Sequence, residues 1–301
     1  MVPCYPGMPP YRHRMDYERR FRVRAKGFEL AEHDPGDTAG IDKEASAERR
    51  AKDIARLDEL QERLYADGRQ ALLVVLQAMD AAGKDSTIEH VMSGLNPQGV
   101  RVTSFKQPTR TELAHDWLWR CQAALPARGE IGIFNRSHYE EVIAVRVHPE
   151  YLAAQAIDPE RAAKPSFWTQ RFEAIAAWES HLERSGVRVV KFFLHVSRKE
   201  QRKRLLARAA EADKNWKFSP ADVAERARWD DYQAAFEAAL RATSTKHAPW
   251  YVIPADHKWF MRTAVAAILA HHLEAMDPRF PTLSSDDRAA MQEAVAALEA
   301  E

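Results

Sequence analysis

Residues 71–87 read ALLVVLQAMDAAGKDST, and this stretch determines which fold the rest of the chain builds. The continuous apolar run over residues 71–76 is typical of a strand that is buried on both faces of a parallel sheet. Small residues and the pair Gly83-Lys84 follow, and residues 84–93 then have the pattern of a helix. A strand, a small-residue turn with Gly-Lys and a helix, in this order, predict a phosphate-binding loop of the Walker A type, or P-loop.

The predicted loop binds phosphate mainly through backbone groups. It comprises Ala81, Ala82, Gly83, Lys84, Asp85 and Ser86. Small residues let N–H groups approach phosphate oxygens, the helix N-terminus adds partial positive charge, and Lys84 reaches the transferring phosphate. The match to G-x-x-x-x-G-K-[ST] is incomplete, because Ala78 replaces the first glycine and Asp85 follows the lysine. The alternative interpretation is a tight strand-to-helix turn that binds no ligand.

Asp80 lies inside this loop, where most phosphate loops carry no acid. A carboxylate among phosphate groups raises repulsion unless a cation intervenes. We therefore expect Asp80 to help hold Mg²⁺, with Mn²⁺ as an alternative ion, or to orient the attacking phosphate through it. The alternative is an aspartate that caps the loop by bonding to its own backbone.

Beyond this stretch, apolar runs and helical patterns alternate along the chain. Strands are expected at 100–105, 130–134, 187–196 and 250–253, and helices at 43–67, 112–125, 166–184, 199–210, 222–242, 259–275 and 286–300. Strands separated by helices of this length predict βαβ units and an α/β fold with a mostly parallel sheet. Residues 1–15 are proline-rich and expected to be irregular, and residues 16–43 are expected to form an arm on the domain surface.

A second candidate site element is the stretch EIGIFNRSHYEE over residues 130–141. In α/β sheets, ligands bind beyond the carboxyl ends of strands. Arg136 can bind phosphate in a fork geometry that lysine cannot match. Glu140 and Glu141 are candidate contacts for a metal ion or a nucleotide. The alternative for both glutamates is a solvated first helical turn, where the helix dipole favours acids.

Residues 198–208, RKEQRKRLLAR, carry six basic residues and one acid. Arg204 and Arg208 are four residues apart and therefore share a helix face. A bound polyanion would relieve the repulsion between these charges, and such a helix could close over the site as a lid that excludes water. The alternative is an ordinary solvated helix face.

Composition limits the classes of function. Lysine plus arginine and aspartate plus glutamate number 44 each, so the formal net charge is zero. Nucleic-acid or membrane binding through bulk charge is therefore not expected, and any polyanion site must be local. Cys4 and Cys121 form no metal-ligand spacing, and a reducing cytoplasm is the simplest expectation. The N-terminus has no signal-peptide pattern, and the longest apolar stretch is too short to span a bilayer.

Five motifs together resemble the polyphosphate kinase 2 family. They are MDAAGKDSTIEHVMSGLNPQG (79–99), TSFK (103–106), GEIGIFNRSHYEEV (129–142), WKFSPAD (216–222) and TSTKHAPWYVIPADHKW (243–259). The resemblance keeps the motif order and runs from about residue 15 to about residue 280. It implies a thymidylate-kinase-like P-loop core with a helical lid, and Mg²⁺-dependent phosphoryl transfer between inorganic polyphosphate and nucleotides.

The resemblance also implies roles for single residues. Asp80 and Lys84 match the loop acid and lysine of the family, and Arg136 matches the arginine of its second motif, so these three are the expected catalytic residues. The expected polyphosphate contacts on the basic lid are Arg204, Arg208 and Lys214. The expected nucleotide contacts are Asn96, Gln98, Lys106, Asn135, Ser137, Tyr139 and Glu140.

The second motif departs from the form found in many members, which is Asp-Arg-Ser-Trp-Tyr-Asn-Arg. This chain has Asn-Arg-Ser-His-Tyr-Glu-Glu at residues 135–141. The departure weakens a metal role for Asn135 and favours Asp80 and Glu141 as metal ligands. This version resembles the subgroup that phosphorylates both nucleoside monophosphates and diphosphates.

The expected function is in-line transfer of phosphoryl groups from inorganic polyphosphate to AMP and ADP, giving ADP and ATP. The expected organisation is an N-terminal arm (1–43), a P-loop domain (44–280) with its lid at about 197–220, and a C-terminal helix (281–301). Family members often associate, so a homo-oligomer is expected. Two alternatives stay open at this point, an ATP-dependent nucleoside monophosphate kinase and a non-catalytic module that binds polyanions or nucleic acid.

Overall fold

A computed structural model describes residues 12–301. The expected irregular course of residues 1–15 lies outside the described residues for 1–11, which include Cys4, and is wrong for 12–15, which belong to a helix at 12–21. The centre of the structure is a five-stranded parallel sheet with the strand order β2-β3-β1-β4-β5. The strands are β1 (Ala71–Gln77), β2 (Val100–Ser104), β3 (Ile131–Asn135), β4 (Val187–His195) and β5 (Trp250–Pro254). Each predicted strand is present within one or two residues, which confirms the α/β fold class.

Helices cover both faces of the sheet, and alternate residues of β4 show this directly. Lys191 points towards a helix at 166–184, because its Nζ lies beside Glu179. The next residue, Phe192, stacks at 5.6 Å on Tyr251, whose hydroxyl lies 2.7 Å from His272 in a helix at 258–276. Successive side chains of a strand alternate between faces, so the central strands are buried on both sides, as the apolar run of β1 predicts.

Fourteen helices lie within the described residues. They are α1 (Arg12–Phe21), α2 (Lys43–Asp67), α3 (Lys84–Val91), α4 (Arg110–Leu113), α5 (Trp119–Ala123), α6 (Ala144–Val147), α7 (Tyr151–Ala154), α8 (Pro159–Ala162), α9 (Ser166–Arg184), α10 (Arg198–Ala210), α11 (Pro220–Ala227), α12 (Trp229–Thr243), α13 (Lys258–Met276) and α14 (Ser285–Glu299). The predicted bounds of α2 and α9 agree with the structure. Helix α2 starts at an Asp42 cap that accepts from the Ala45 N–H group and ends at Gly68 in the left-handed conformation.

Two predicted helices are each divided in the structure. The helix expected at 112–125 is replaced by α4 and α5, because the Asp116 side chain accepts from the Leu118 N–H group and so competes with the helical bond. The helix expected at 222–242 breaks at Arg228, which separates α11 from α12.

The segment expected as a surface arm contributes to the core instead. Tyr17 and Phe21 in α1 are 3% and 2% exposed, and their rings each contact Phe260 of α13 at 5.8 Å. The Val23 N–H group donates to the Trp250 carbonyl (2.9 Å), so the segment also covers the edge strand β5. Charged residues outnumber apolar ones over residues 16–43, so the buried role of this segment was not predicted from the sequence.

Helix α14 follows the last core helix and buries no residue. Among the described residues, no helix combines the length and the apolar character needed to cross a bilayer.

Burial of His272 predicts a loss of stability in acid. Burial, with positive charge from His271 and Arg188, lowers the pKa of His272 from 6.5 to about 3. Between pH 6.5 and about 3, His272 is therefore protonated in the unfolded chain but neutral in the folded chain. The free energy of unfolding falls as pH falls through this range. At about pH 5.5 this residue alone costs about 1.4 kcal/mol of unfolding free energy.

Urea unfolding at about pH 7.5 and about pH 5.5 tests this expectation. In His272→Gln, whose amide can still bond to Tyr251, the loss between the two pH values should shrink by about 1.4 kcal/mol. The exposed His181→Gln serves as the control and should keep the wild-type loss. An unchanged loss in His272→Gln would contradict the assignment.

Candidate functional site

Adjacent strands bring the phosphate loop and the second motif together. Leu76 at the end of β1 pairs with Asn135 at the end of β3, and the Arg136 N–H group donates to the Leu76 carbonyl at 3.1 Å. Arg136 Nη2 lies 2.6 Å from Asp80 Oδ1, and the Asn135 amide donates to Asp85 Oδ1 at 2.7 Å. The structure therefore places these predicted residues at one carboxyl edge of the sheet, as the rule for α/β proteins requires.

The backbone at this edge adopts conformations that most residues avoid. Ala81 and Arg136 have φ values of 60° and 62°, and Gly83 has φ 116°. A Cβ on Gly83 would lie 3.0 Å from Met261 Cε and would push that flexible methyl group aside, whereas the positive φ itself favours glycine. Left-handed residues at positions 81 and 136 cost free energy and cluster at functional sites.

Side chains hold the carbonyl groups of the loop. Lys84 Nζ donates to the carbonyls of Ala78 (2.9 Å) and Met79 (3.5 Å). The hydroxyls of Ser86 and Thr87 donate to the Gly83 carbonyl at 3.1 and 2.9 Å. These hydroxyls are displaced by one and two positions from the usual motif, and here they close the first turn of α3.

Helix α10 holds the remaining three carbonyls. Gln201 Nε2 donates to the Asp80 carbonyl (3.0 Å), and Arg204 Nη1 donates to the carbonyls of Ala81 (3.3 Å) and Ala82 (2.7 Å). Every carbonyl from residue 78 to residue 83 thus accepts from a side chain. Among the described residues, the N–H groups of Ala81, Gly83 and Lys84 have no protein acceptor, so they are available to an anion.

Electrostatics also favour an anion at this position. Burial, followed by the nearby charge of Arg136, lowers the pKa of Lys84. A phosphate beside its ammonium group would favour the charged form and oppose this lowering of the pKa. The site therefore combines free N–H donors, a helix N-terminus and two cationic side chains.

A cleft of about 400 Å³ opens from the loop. Its lining includes Asp80, Lys106, Arg136 and Glu140, so these predicted residues share one cavity. The lid helix α11 supplies Asp222 and Glu225 to the same wall. The cleft can thus accommodate a second phosphate-bearing molecule that faces the loop.

The carboxylates in this cleft suit a cation that is also bound by phosphate. Burial, followed by the charge of Asp80, raises the pKa of Asp222, and both acids line the cleft. In the described part of the chain, no three His, Cys, Asp or Glu side chains stand together as a metal cage. Mg²⁺ commonly binds one or two carboxylates, substrate phosphates and water, and Asp80 fits that mode.

Glu141 does not fit the metal role that the sequence predicts. It is 3% exposed, and its carboxylate accepts from Gln155 (2.6 Å) and Arg171 (3.3 Å), with Arg120 at 3.7 Å. A carboxylate with these partners is held as part of the cleft wall. Glu140, in contrast, is partly exposed and lines the cleft.

Ser137 and Tyr139 are predicted nucleotide contacts, but both side chains are 0% exposed. The Ser137 hydroxyl caps the turn by accepting from the Tyr139 N–H group at 3.2 Å. The Tyr139 hydroxyl accepts from Lys191 Nζ (2.8 Å) and donates to Glu179 Oε1 (2.9 Å). The two residues therefore support the second motif from beneath and do not face the cleft.

Asn96 and Gln98 are also placed away from the cleft. They precede β2, at the amino end of the sheet, whereas the loop and the second motif lie at its carboxyl end. The Asn96 side chain accepts from the Gln98 N–H group, and the Asn96 N–H group donates to Gln61 of α2. These contacts make the pair a turn that starts β2, which corrects the predicted nucleotide role.

The predicted polyphosphate contacts on and after the basic helix α10 differ in their partners and exposure. The Arg204 side chain is 9% exposed, and its donors are used within the protein, which contradicts a direct polyphosphate contact. Arg208 donates to Asp222 of α11 at 3.2 Å, and Lys214 is 57% exposed. Arg208 and Lys214, which pairs with Glu211, are both more exposed than Arg204, so an anion contact by either of them stays a prediction.

Sequence reasoning did not predict Gln201 or Asp222. Gln201 shares a helix face with buried Leu205, and this spacing could have identified it as an inward residue. Asp222 lies in the motif WKFSPAD, at the start of a helix whose position over the cleft depends on the break at Arg228. The sequence contains no local signal for that break.

Comparisons with known proteins agree with this geometry. A family model described as polyphosphate kinase 2 matches residues 40–281. An ADP-polyphosphate phosphotransferase of Rhodopseudomonas palustris is 52% identical over 228 residues, which cover 76% of this chain and 79% of that protein. An AMP/ADP-polyphosphate phosphotransferase of Meiothermus ruber is 47% identical over 266 residues, which cover 87% of this chain and 95% of that protein.

A solved structure supports the same relationship. The crystal structure of polyphosphate kinase 2 from Arthrobacter aurescens TC1 superposes with a TM-score of 0.85 at 40% sequence identity. The match covers 93% of this chain and 96% of that chain.

The buried pair beneath the second motif generates a stability prediction. Lys191 and Glu179 are 0% and 1% exposed, and Lys191 with His138 keeps the pKa of Glu179 below its ordinary value although burial raises it. Lys191→Met leaves a buried unpaired carboxylate, so the free energy of unfolding should fall by about 3–5 kcal/mol.

The double variant Lys191→Met/Glu179→Gln is the matched control, because it removes both charges. It should recover a clear part of the loss in denaturant unfolding. Equal losses in the single and double variants would show that the pair's charge is not what holds the motif.

Proposed function

The chain belongs to the polyphosphate kinase 2 family, and we propose that it transfers phosphoryl groups from inorganic polyphosphate to AMP and ADP. One observation carries this proposal. Asp80 of the phosphate loop and Arg136 of the second motif, bonded to each other at 2.6 Å, both line a cleft that can hold a second phosphate-bearing molecule. A site built for two anions in contact is what transfer between phosphate anhydrides requires.

The phosphate loop binds the polyphosphate donor. The N–H groups of Ala81, Gly83 and Lys84 donate to the oxygens of the terminal phosphates, and the Lys84 ammonium group neutralises part of their charge. Arg136 stands opposite and offers two parallel N–H groups to the group in transfer. The protein forms no covalent intermediate, because positioning and electrostatic stabilisation suffice for this reaction class.

Asp80 would hold the divalent cation, which we propose to be Mg²⁺, with the two substrates' phosphates as its other ligands. When bound, the ion neutralises charge between donor and acceptor phosphates. Asp80 is prepared for this role because Gln201 fixes its backbone and Arg136 fixes its carboxylate.

The acceptor nucleotide enters from the cleft. Asn135 and Glu140 lie where its phosphates meet the loop, and Lys106 lies along the wall. One relative is named for ADP alone and the other for AMP and ADP. The second motif, with Asn135 and Glu140, supports the broader acceptor range for this chain.

The lid excludes water from the transfer. Helix α11 covers one side of the cleft, and Arg208 and Lys214 extend the positive surface along which polyphosphate lies. Exclusion of water favours transfer to the nucleotide over hydrolysis.

Incubation with AMP, Mg²⁺ and long-chain polyphosphate, with nucleotides resolved by chromatography, tests the proposal. ADP and then ATP should appear, and a parallel reaction with ATP as the sole donor should give little product. If ADP is converted and AMP is inert, the assignment of Asn135 and Glu140 fails. Turnover with ATP alone as donor would make the protein a nucleotide kinase.

Lys84→Ala should lower the rate by at least about a hundredfold, because about 3 kcal/mol of transition-state stabilisation is lost. Steady-state kinetics on the folded variant measures this, with circular dichroism and thermal unfolding as the folding control. Near-normal turnover by folded Lys84→Ala would contradict the role given to the loop.

A further inference from the structure

We propose that Gln201 and Arg204, on the inner face of α10, are positioning residues that set the phosphate loop for transfer, and that Arg204 does so without touching polyphosphate. The inference rests on the proposed function and assigns these residues a role within it. It departs from the simplest interpretation of the basic helix, in which its arginines bind the polyanion directly.

All the donor capacity of Arg204 is used within the protein. Nη1 donates to the carbonyls of Ala81 and Ala82, and Nη2 donates to the carbonyls of Ala255 (2.6 Å) and Asp256 (2.9 Å). Nε donates to Glu200 at 2.9 Å. A guanidinium has five N–H groups, and five protein acceptors surround this one. Arg204 thus joins the loop after β1 to the loop after β5.

Holding the carbonyls determines where the N–H groups point. In a trans peptide the carbonyl and the following N–H group point in opposite directions. With the Asp80 carbonyl bound to Gln201, the Ala81 N–H group faces away from α10, and with the Ala82 carbonyl bound to Arg204, so does that of Gly83. Both belong to the N–H groups that have no protein acceptor in the described part of the chain. The positive helix α10 therefore acts on phosphate through the loop backbone.

The lid contacts the same residues. Arg226 of α11 donates to Gln201 Oε1 (2.7 Å) and to the Arg198 carbonyl (2.8 Å). Gln201 accepts from the lid with its oxygen and donates to the loop with its nitrogen, so a single amide links the two elements. Gln201 is 1% exposed, which keeps water from replacing either bond.

Two variants test the role of Gln201. Gln201→Met keeps the side-chain volume but removes the donor to Asp80, whereas Arg226→Met removes the lid contact and leaves that donor in place. Without the bond to the Asp80 carbonyl, the Ala81 N–H group is no longer directed at the phosphate and stops stabilising the transition state. Gln201→Met should therefore lower kcat about tenfold or more. KM for AMP should change less than about twofold. Arg226→Met should cost clearly less in kcat.

A second experiment compares variants of Arg204 and Arg208, which carry the same charge on the same helix. KM for polyphosphate is measured as a function of salt for Arg204→Gln and Arg208→Gln. Arg204→Gln should lower kcat at an unchanged salt slope, because no contact with the polyanion is lost. Arg208→Gln should instead flatten the slope. A flatter slope and a higher KM at unchanged kcat in Arg204→Gln would overturn the proposal.

Calorimetry of tripolyphosphate binding separates this inference from the proposed function. Affinity should fall about tenfold in Gln201→Met and Arg204→Gln, whether or not the wild type turns over. If wild-type protein binds tripolyphosphate but transfers nothing, the function fails while the positioning role is still measured. If both variants fold, bind like the wild type and turn over normally, the positioning role fails alone.

Discussion

The anion site depends on one constraint, which is that side chains hold every carbonyl group from residue 78 to residue 83. Lys84 and the hydroxyls of residues 86 and 87 hold the two ends of the loop, and α10 holds its centre. A loop with free carbonyls would present negative dipoles to the phosphate as readily as positive ones. Because these carbonyls are fixed, the N–H groups of Ala81, Gly83 and Lys84 stay available to an anion at the positive end of α3.

A second constraint operates beneath the second motif. Lys191 lies in the centre of the sheet, where burial of a charge is costly, and it is compensated by Glu179, Tyr139 and the Thr243 carbonyl. These partners come from three different segments of the chain. The network therefore fixes the turn that carries Arg136 and Glu140 relative to the strand beside it, and apolar packing alone would be less directional.

Much of the fold could be predicted from local pattern. The apolar run of β1, the Gly-Lys turn and the cap and stop of α2 each specify their own structure within a few residues. The convergence of Asp80, Lys84 and Arg136 follows from the general rule that the carboxyl ends of parallel strands share an edge. The places where prediction was wrong depend on contacts between distant segments. Packing between distant segments decides three such features, and no single stretch of sequence predicts them. They are the burial of Ser137 and Tyr139, the inward orientation of Arg204 and the break at Arg228.

The central claim is that the loop N–H groups bind the phosphate donor, and amide hydrogen exchange measures this directly. Exchange over residues 80–86 is compared with and without tripolyphosphate and Mg²⁺. The account predicts strong protection of the amides of Ala81, Gly83 and Lys84, which have no protein acceptor in the described structure. Protection confined to the lid residues around 208–217, with the loop unchanged, would contradict it.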